Sequence, residues 1–505
     1  MARSPQILLA FLLSTACLPA TAGGQAAPFL PHVASVEAQH QPHPPAMAAA
    51  LREDPFATVY LVTSRALYEG GIDTQARKTA VHRDRSGNEL VIAEARAWQL
   101  PEISHGIHER ERHCGGFFAF ATRAEAEAFL RNDRSHKALL AKAADYGIDN
   151  AATVAPWLGQ VQEGNIHGTI AHLSTAWPNR YYASTHGVSA ALWIRDTWLA
   201  LANGRSDVTA ELFTACGNCG GQPSVILTVP GSEWPDEIVV VGGHLDSISN
   251  SGSGNAMNAP GADDDASGIA TITEIIRIAL ADGWRPKRTV KFMGYAAEEV
   301  GLRGSNAIAQ SFRNRGLDVV GVLQLDMTNY SNGSVYAMRL MTDNSSPTLQ
   351  NFVTRLFDTY LAPLGLTRGT DTCGYACSDH ASWTAAGYPA AMMAEPTFFT
   401  RLHTTTDTLA YMGNRAAVSV NFAKLGLAFV GELGKTHVVV PRRRNGSQPL
   451  APGAMAGATV PGPAAIRLPQ PAPPPAVRKA PTQVLAPLLR LRPRDTAADE
   501  RQAHP

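Results

Sequence analysis

The 505-residue sequence carries no excess of charge of either sign: Lys+Arg and Asp+Glu both number 43, leaving a formal net charge of zero. That balance offers no basic face to recruit nucleic acid or an anionic membrane surface. Internal repeats are absent, which removes solenoids and propellers. Long hydrophobic runs are scarce. Ile7 to Leu18 is too short for a bilayer, which needs ~20 residues, and no later stretch reads as a transmembrane helix. Cysteine is used sparingly, six times in all.

What is there begins with a leader. Arg3 supplies a positive start, Ile7 to Leu18 an apolar stretch, and Ala20-Thr21-Ala22 a small-x-small cleavage site, so residues 1–22 read as a secretory signal. Lipid attachment at Cys17 is the weaker alternative, because Ser14 stands where a leucine is expected. Export, extracellular or periplasmic, agrees with the remaining cysteines. Cys216/Cys219 and Cys373/Cys377 are two close pairs, each able to close a small disulfide loop in an oxidising compartment. The competing reading is one four-thiolate zinc site, against which stand the distance between the pairs and the export signal. Cys114 is left over.

Three regions follow the leader. Residues 23–147 are mixed polar, with a candidate strand at Val59–Val62 and a helical run from Ala121 to Leu130. Residues 148–440 are strongly patterned. In the last 65 residues, 441–505, fall 14 of the chain's 34 prolines, beside Arg442-Arg443-Arg444. Such a segment cannot bury enough apolar surface to fold and reads as a disordered Pro-rich extension or a processed tail.

The central region alternates apolar β-rich runs (Ser224–Val229, Glu237–Gly242, Thr289–Tyr295, Val319–Leu325, Val335–Met341, Ala390–Met393) with helical patterns (Ser189–Ala202, Ser267–Ala281, Gly301–Arg315, Pro347–Leu364, Ala416–Leu433). The alternation predicts an α/β fold with a mixed central sheet sandwiched by helices. Ligands in such sheets bind outside the carboxyl ends of strands. There the sequence places His244-Leu245-Asp246, Glu298-Glu299, Asp326, the acidic loop Asp263-Asp264-Asp265, and His403. Singly, each has an ordinary explanation: a packed histidine, an aspartate capping a helix, a solvated acidic loop. Together they form a nitrogen and oxygen donor set that suits zinc, with carboxylates able to bridge two metals.

The motifs His244-Leu245-Asp246-Ser247, Gly261-Ala262-Asp263-Asp264-Asp265-Ala266-Ser267-Gly268, Tyr295 to Ser305, Leu325-Asp326-Met327-Thr328-Asn329-Tyr330, Cys373-Gly374-Tyr375-Ala376-Cys377-Ser378-Asp379-His380 and Leu402-His403-Thr404-Thr405 resemble those of secreted bacterial leucyl aminopeptidases with co-catalytic zinc, in family order across about 148 to 436. The resemblance implies a zinc-exopeptidase-like fold with two Zn2+ per subunit. It implies His244 and Asp326 on one zinc, Glu299 and His403 on the other, and Asp264 bridging both; composition alone does not choose among the three aspartates. It further implies Glu298 as general base, Asp246 as the carboxylate orienting His244, Tyr375 near the developing oxyanion, and a cis peptide after Asp264. Residues 23–147 would then be an N-terminal propeptide, since all these residues lie beyond position 240.

The implied activity is removal of single N-terminal residues, preferably large apolar ones such as leucine, from peptides with a free N-terminus, by a monomer needing no nucleic acid or membrane. Met327, Met392, Phe398 and Leu402 match positions lining the pocket for the N-terminal side chain. One departure stands out: Met393-Ala394 occupies the place of a proline and a phenylalanine, so an aromatic wall is missing. A carboxypeptidase would need a cation for the substrate's terminal carboxylate, which the motifs do not supply. A glutaminyl cyclase of related fold would hold one zinc. A binding ectodomain that had lost its chemistry would show replaced ligands, and none is replaced.

Overall fold

The computed structural model describes residues 54–84, 87–112, 115–134 and 146–437. The expected leader 1–22, the Pro-rich extension 441–505 and Cys114 lie outside the described residues.

Near the N-terminus, β1 (Thr58–Ser64), β2 (Arg77–Arg83), β3 (Glu89–Arg96) and β4 (Phe117–Phe120) form an antiparallel sheet in the order β2-β3-β1-β4. Among the described residues three helices accompany it, α1 (Arg65–Glu69), α2 (Leu100–Glu111) and α3 (Arg123–Asn132). Thr122 and Glu125 form a reciprocal capping box that opens α3. Helix α2 has Pro101 in its first turn, where no amide hydrogen is needed, and stops at Arg112 in left-handed backbone (φ 63°).

The larger sheet contains β5 (Thr209–Phe213), β6 (Ser224–Val229), β7 (Trp234–His244), β8 (Arg288–Tyr295), β9 (Asp318–Leu325), β10 (Met338–Met341), β11 (Arg368–Asp371) and β12 (Ala390–Ala394), in the order β11-β10-β12-β9-β7-β8-β6-β5. The central strands β12, β9, β7 and β8 run parallel, and antiparallel pairings flank them. This is the mixed sheet the alternation predicts. Its helices are α4 (Ala151–Leu158), α5 (Glu163–Thr175), α6 (Thr185–Leu201), α7 (Ala266–Ala281), α8 (Arg303–Asn314), α9 (Pro347–Tyr360), α10 (His380–Ala385) and α11 (Ala417–Gly434).

Successive side chains on a strand point to opposite faces, and β7 shows what that does here. Val239 and Val241 pack with residues of α4 to α7, α9 and α11. Ile238 and Val240 pack on the other face with Ile308 and Phe312 of α8 and Trp383 of α10. Both faces are covered, which is why the strands read as continuous apolar runs.

Two expectations need correction. The strand expected over Val335–Met341 is only Met338–Met341; Val335 and Tyr336 are exposed, because two residues at the strand's start never reach the core. Helix α11 is long and apolar enough by composition to cross a membrane, where none was expected, but most of it is buried in the core. Its fully buried Glu432 accepts hydrogen bonds from the backbone N–H groups of Asp149 (2.9 Å) and Asn150 (2.8 Å), tying down the start of the larger region.

The small sheet packs directly on the larger region. Leu100, Ile103 and Ile107 of α2 share one apolar cluster with Tyr181, Met257, Ala296, Tyr375, Met392 and Ala394. The Ala119 N–H donates to the Gly301 carbonyl at 3.1 Å. Gly301 has φ 109°, and a Cβ there would lie 2.7 Å from the Ala119 nitrogen, so only glycine permits this approach.

Candidate metal centre

Strand β7 is followed in sequence by β8 on one side of it and β9 on the other, so the strand order reverses at β7 and leaves a crevice at the carboxyl ends. His244 is the last residue of β7, Glu298 and Glu299 follow β8, and Asp326 follows β9 directly. Asp264 lies in the loop before α7, and His403 in the loop after β12. All six are at most 2% exposed. Ala297, Met327 and His403 hold left-handed backbone (φ 53°, 55° and 55°), conformations that non-glycine residues keep mainly where surrounding contacts impose them.

Two donor groups result, His244/Asp264/Asp326 and Asp264/Glu299/His403, each with ligand atoms close enough to hold a metal ion. His244 Nε2 lies 2.8 Å from Asp264 Oδ1 and 3.5 Å from Asp326 Oδ1. His403 Nε2 lies 2.7 Å from Glu299 Oε2 and 3.3 Å from Asp264 Oδ2. Donors each about 2.0–2.2 Å from a tetrahedral zinc stand roughly 3.3–3.5 Å apart; the 3.3 and 3.5 Å separations match this, while the 2.7 and 2.8 Å contacts have hydrogen-bond length and would open by roughly 0.5 Å around a cation. The donor chemistry fits as well. Apart from the two histidine rings, both oxygens of Glu299, Asp264 Oδ2 and Asp326 Oδ1 are buried without hydrogen-bond partners, a costly arrangement unless a cation satisfies them.

Composition could not choose among the three aspartates, but their side chains go to three places. Asp265 caps α7 by accepting from Gly268 N (2.8 Å), and also accepts from His244 N (3.0 Å) and Met327 N (3.1 Å). Asp263 accepts from Asn329 N at 3.0 Å. Asp264 alone belongs to the donor groups, and the bond joining it to Asp265 is cis. Asp246 Oδ1 lies 3.5 Å from His244 Nδ1, and its carboxylate accepts from the N–H groups of Glu298 (3.0 Å) and Glu299 (3.3 Å). One carboxylate therefore positions a histidine and the turn carrying both glutamates.

Several supporting residues escaped the sequence reading. Asp407 accepts from Asp263 N (2.8 Å) and Asp264 N (3.1 Å). Its place four residues after His403 was the available signal. Arg180, only 1% exposed, donates to the carbonyls of Leu245, Leu173, Pro260 and Gly261, fixing both loops that border the site. Nothing in its neighbourhood in sequence marks it. Ser378 donates to Asp326 Oδ2 at 2.6 Å, from within the quoted cysteine motif.

The electrostatics suit a bound cation. Burial pushes the Glu298 carboxyl well above the usual range; His244 opposes this, while Asp379, Glu299 and Asp326 add to it. Burial would lower His403, but the Glu299 and Asp264 carboxylates push it up to about 10. Burial likewise opposes protonation of His244, yet Asp326, Glu298 and the bonds to Asp246 and Asp264 raise it well above its ordinary value. Metal ions compete for these same positions, because ligands bind them deprotonated. Glu298 belongs to neither donor group, and neither of its oxygens has a partner.

Beside the centre, a cavity is lined by Met327, Met341, Met392, Phe398 and the cysteines 373 and 377. Leu402 is fully buried behind this lining, packed against Met327 and Phe399. Tyr375 is buried in the cluster containing Ala296, Ala297 and Met392. Cys216–Cys219 and Cys373–Cys377 are both joined as disulfides, which excludes the four-thiolate alternative. Helix α2 lies over the centre. Ser104 Oγ donates to the Glu299 carbonyl at 2.9 Å, and the His108 ring, 1% exposed, sits 5.3 Å from that of His403 and 5.1 Å from that of Phe398.

Comparison with known proteins agrees with this arrangement. Residues 224–428 match the model of peptidase family M28. The chain is 34% identical over 379 residues to Leucine aminopeptidase 1 of Trichophyton equinum, covering 72% of this chain and 94% of that one. It is 38% identical over 297 residues to Leucine aminopeptidase 1 of Phaeosphaeria nodorum, covering 56% and 73%. These relatives are fungal, so the likeness is not confined to bacterial enzymes. The crystal structure of LapB from Legionella pneumophila superposes with a TM-score of 0.61 at 29% identity, covering 75% of this chain and 99% of that one. The LapA aminopeptidase of the same organism gives 0.62 at 27% identity, covering 75% and 98%. With a relative of that identity matched almost end to end, the chain belongs to peptidase family M28.

Proposed function

We propose that the chain is a secreted zinc aminopeptidase that hydrolyses the N-terminal peptide bond of peptides, preferring large apolar N-terminal residues such as leucine. The observation that carries the reading is Asp264, shared between two buried histidine–carboxylate groups while Glu298 stands beside both and belongs to neither. His244 and Asp326 would hold one zinc, Glu299 and His403 a second, and Asp264 both. Zinc in such a site polarises a carbonyl oxygen and lowers the pKa of a bound water to about 7.

The chain's own residues do the rest. Glu298, buried and outside both donor groups, takes a proton from the attacking water and returns it to the departing amine. Asp246 keeps His244 and the Glu298–Glu299 turn in place. Tyr375 donates toward the oxygen on which charge develops. The cavity beside the centre, floored by Met341 and Met392, receives one side chain, which suits removal of one residue at a time. The leucine preference is supported by that apolar lining and by the names of the fungal relatives. The enzyme acts as a monomer on peptides. Leucyl anilide should be cleaved and N-acetyl-leucyl anilide should not; cleavage of both at similar rates overturns the reading.

The N-terminal unit within residues 23–147 is, on this reading, a propeptide that covers the centre. The contacts of Ser104 with Glu299 and of His108 with His403 support it, because a substrate's N-terminus has to enter where α2 lies. N-terminal sequencing of the active secreted enzyme should find a start near residue 148. A fully active species that still begins near Gly23, unchanged by trimming, overturns it.

A further inference from the structure

Besides its methionines, Phe398 and the two cysteines, the cavity beside the metal centre is lined by Asp326, by Arg112 at the end of α2, and by Arg339, Ala394 and Glu395. On β10 and β12 the alternation sorts residues cleanly. Met338, Leu340 and Met393 pack into the cluster behind the sheet, whereas Met341, Met392 and Ala394 face the centre. Arg339 pairs directly with Ala394 across the antiparallel ladder. Directly opposed residues of such a ladder share a face with Cβ atoms about 4.5–5.5 Å apart, so the side chain facing Arg339 is a single methyl group. Both residues line the cavity. The space above Ala394 is left to the arginine.

The guanidinium is held in place. Its Nε donates to the Glu395 carbonyl oxygen at 3.0 Å, and Nη1 pairs with the Asp371 carboxylate. Arginine offers five N–H donors, more than these two contacts use. The Glu395 carboxyl, 3% exposed, also lines the cavity, where burial and the neighbouring Asp263 push it above the usual carboxylate range; the Asp371 carboxylate offsets part of the arginine's charge, so the arginine meets the cavity chiefly as a hydrogen-bond donor.

Resting on the aminopeptidase reading above, the geometry points to Arg339 as a specificity-determining residue, one that admits long neutral N-terminal side chains ending in a hydrogen-bond acceptor and rejects cationic ones. A side chain passing Met327, Met392 and Phe398 meets a fixed donor at the far wall. Glutamine presents a carbonyl oxygen to it. Norleucine, of similar length, presents only a methyl group. Lysine has no acceptor to offer these donors, and its ammonium adds positive charge beside an arginine that Asp371 offsets only in part, in a partly desolvated pocket where like charges repel more strongly than in water.

The test uses the active zinc-loaded enzyme and kcat/KM for glutaminyl, norleucyl and lysyl anilides, read as ratios within one preparation so that the active fraction cancels. Arg339→Met keeps length and removes donor and charge. It should lower the Gln/norleucine ratio about tenfold or more, the usual scale of a hydrogen bond to a charged group, and raise the Lys/norleucine ratio by a similar factor. Ala394→Phe fills the space the arginine uses, and should lower glutamine and norleucine together relative to alanyl anilide. Ratios within about twofold of wild type in Arg339→Met, or an unchanged norleucine/alanine ratio in Ala394→Phe, overturn the assignment while the aminopeptidase reading stands. A wild-type enzyme that cleaves no aminoacyl anilide defeats both together.

Discussion

The larger region and the N-terminal unit meet at the same spot and bring opposite chemistry to it. The larger region contributes carboxylates and imidazoles whose inward atoms lack partners, among them Glu299, Asp326 and Asp264. The N-terminal unit contributes Ile103, Ile107, Ser104 and His108. Burial, reinforced by the nearby His403, pushes the His108 imidazole down to about 2, so it stays neutral. Every residue of the two donor groups comes from the larger region, although α2 lies directly over them. On the proposed reading, one surface holds cations and the other covers them. Charge left unsatisfied marks the functional partner, and a neutral, well-packed face marks the cover.

Four substitutions break or sharpen that contrast. Asp264→Asn removes the one carboxylate common to both donor groups, so both zincs should be lost and turnover should fall to background. A variant that keeps two zincs and wild-type turnover would remove Asp264 from the centre. Glu298→Ala should lower kcat by about 10²–10⁴-fold, the usual contribution of a general base, while metal content stays at the wild-type level. Loss of metal with an unaffected rate in the remaining loaded enzyme would make Glu298 a ligand instead. Asp246→Asn weakens the grip on His244 and should reduce zinc affinity or activity by about 10–100-fold, as substitutions behind a metal ligand do; equilibrium dialysis against zinc reads this directly, and unchanged affinity together with unchanged rate would leave Asp246 idle.

The smallest effect concerns the cover. His108→Ala in the full chain removes two ring contacts with the larger region, each worth about 0.5–1.5 kcal/mol, and should raise turnover by the uncut chain roughly tenfold. In the trimmed enzyme it has nothing to act on. Uncut chain with unchanged turnover would mean that α2 does not bar the site.

The parts of this contrast were unequally legible in the sequence. The strand ends announced themselves, because His244, Glu298-Glu299 and Asp326 each follow an apolar run that both faces of the sheet must bury. The edge strands β5 and β11 did not: Thr209–Phe213 and Arg368–Asp371 are largely polar and half exposed, and their pairing comes from neighbours far away in sequence. Asp264 was indistinguishable from Asp263 and Asp265 until backbone geometry sent the three side chains in different directions. Arg180 and Asp407 act through backbone groups that no local pattern reveals.

In the N-terminal unit, Val59–Val62 and Ala121–Leu130 were readable and became β1 and α3. Helix α2 was not read, although Leu100, Ile103 and Ile107 recur at helical spacing. That spacing says a face is buried, not what it is buried against. His105 and His108 carry no ligand motif, and only the tertiary contact with His403 gives His108 a meaning. Arg339 is similar: its role depends on standing across from Ala394, more than fifty positions away.

The central claim is that two histidine–carboxylate groups sharing Asp264 make a dinuclear zinc centre. The direct measurement is the zinc content of active enzyme, titrated back from the metal-free state while leucyl anilide turnover is followed. Two zincs per chain, with turnover lost on removal and restored on return, is the predicted result. A single zinc per chain at full activity, or full activity with none, would contradict the account.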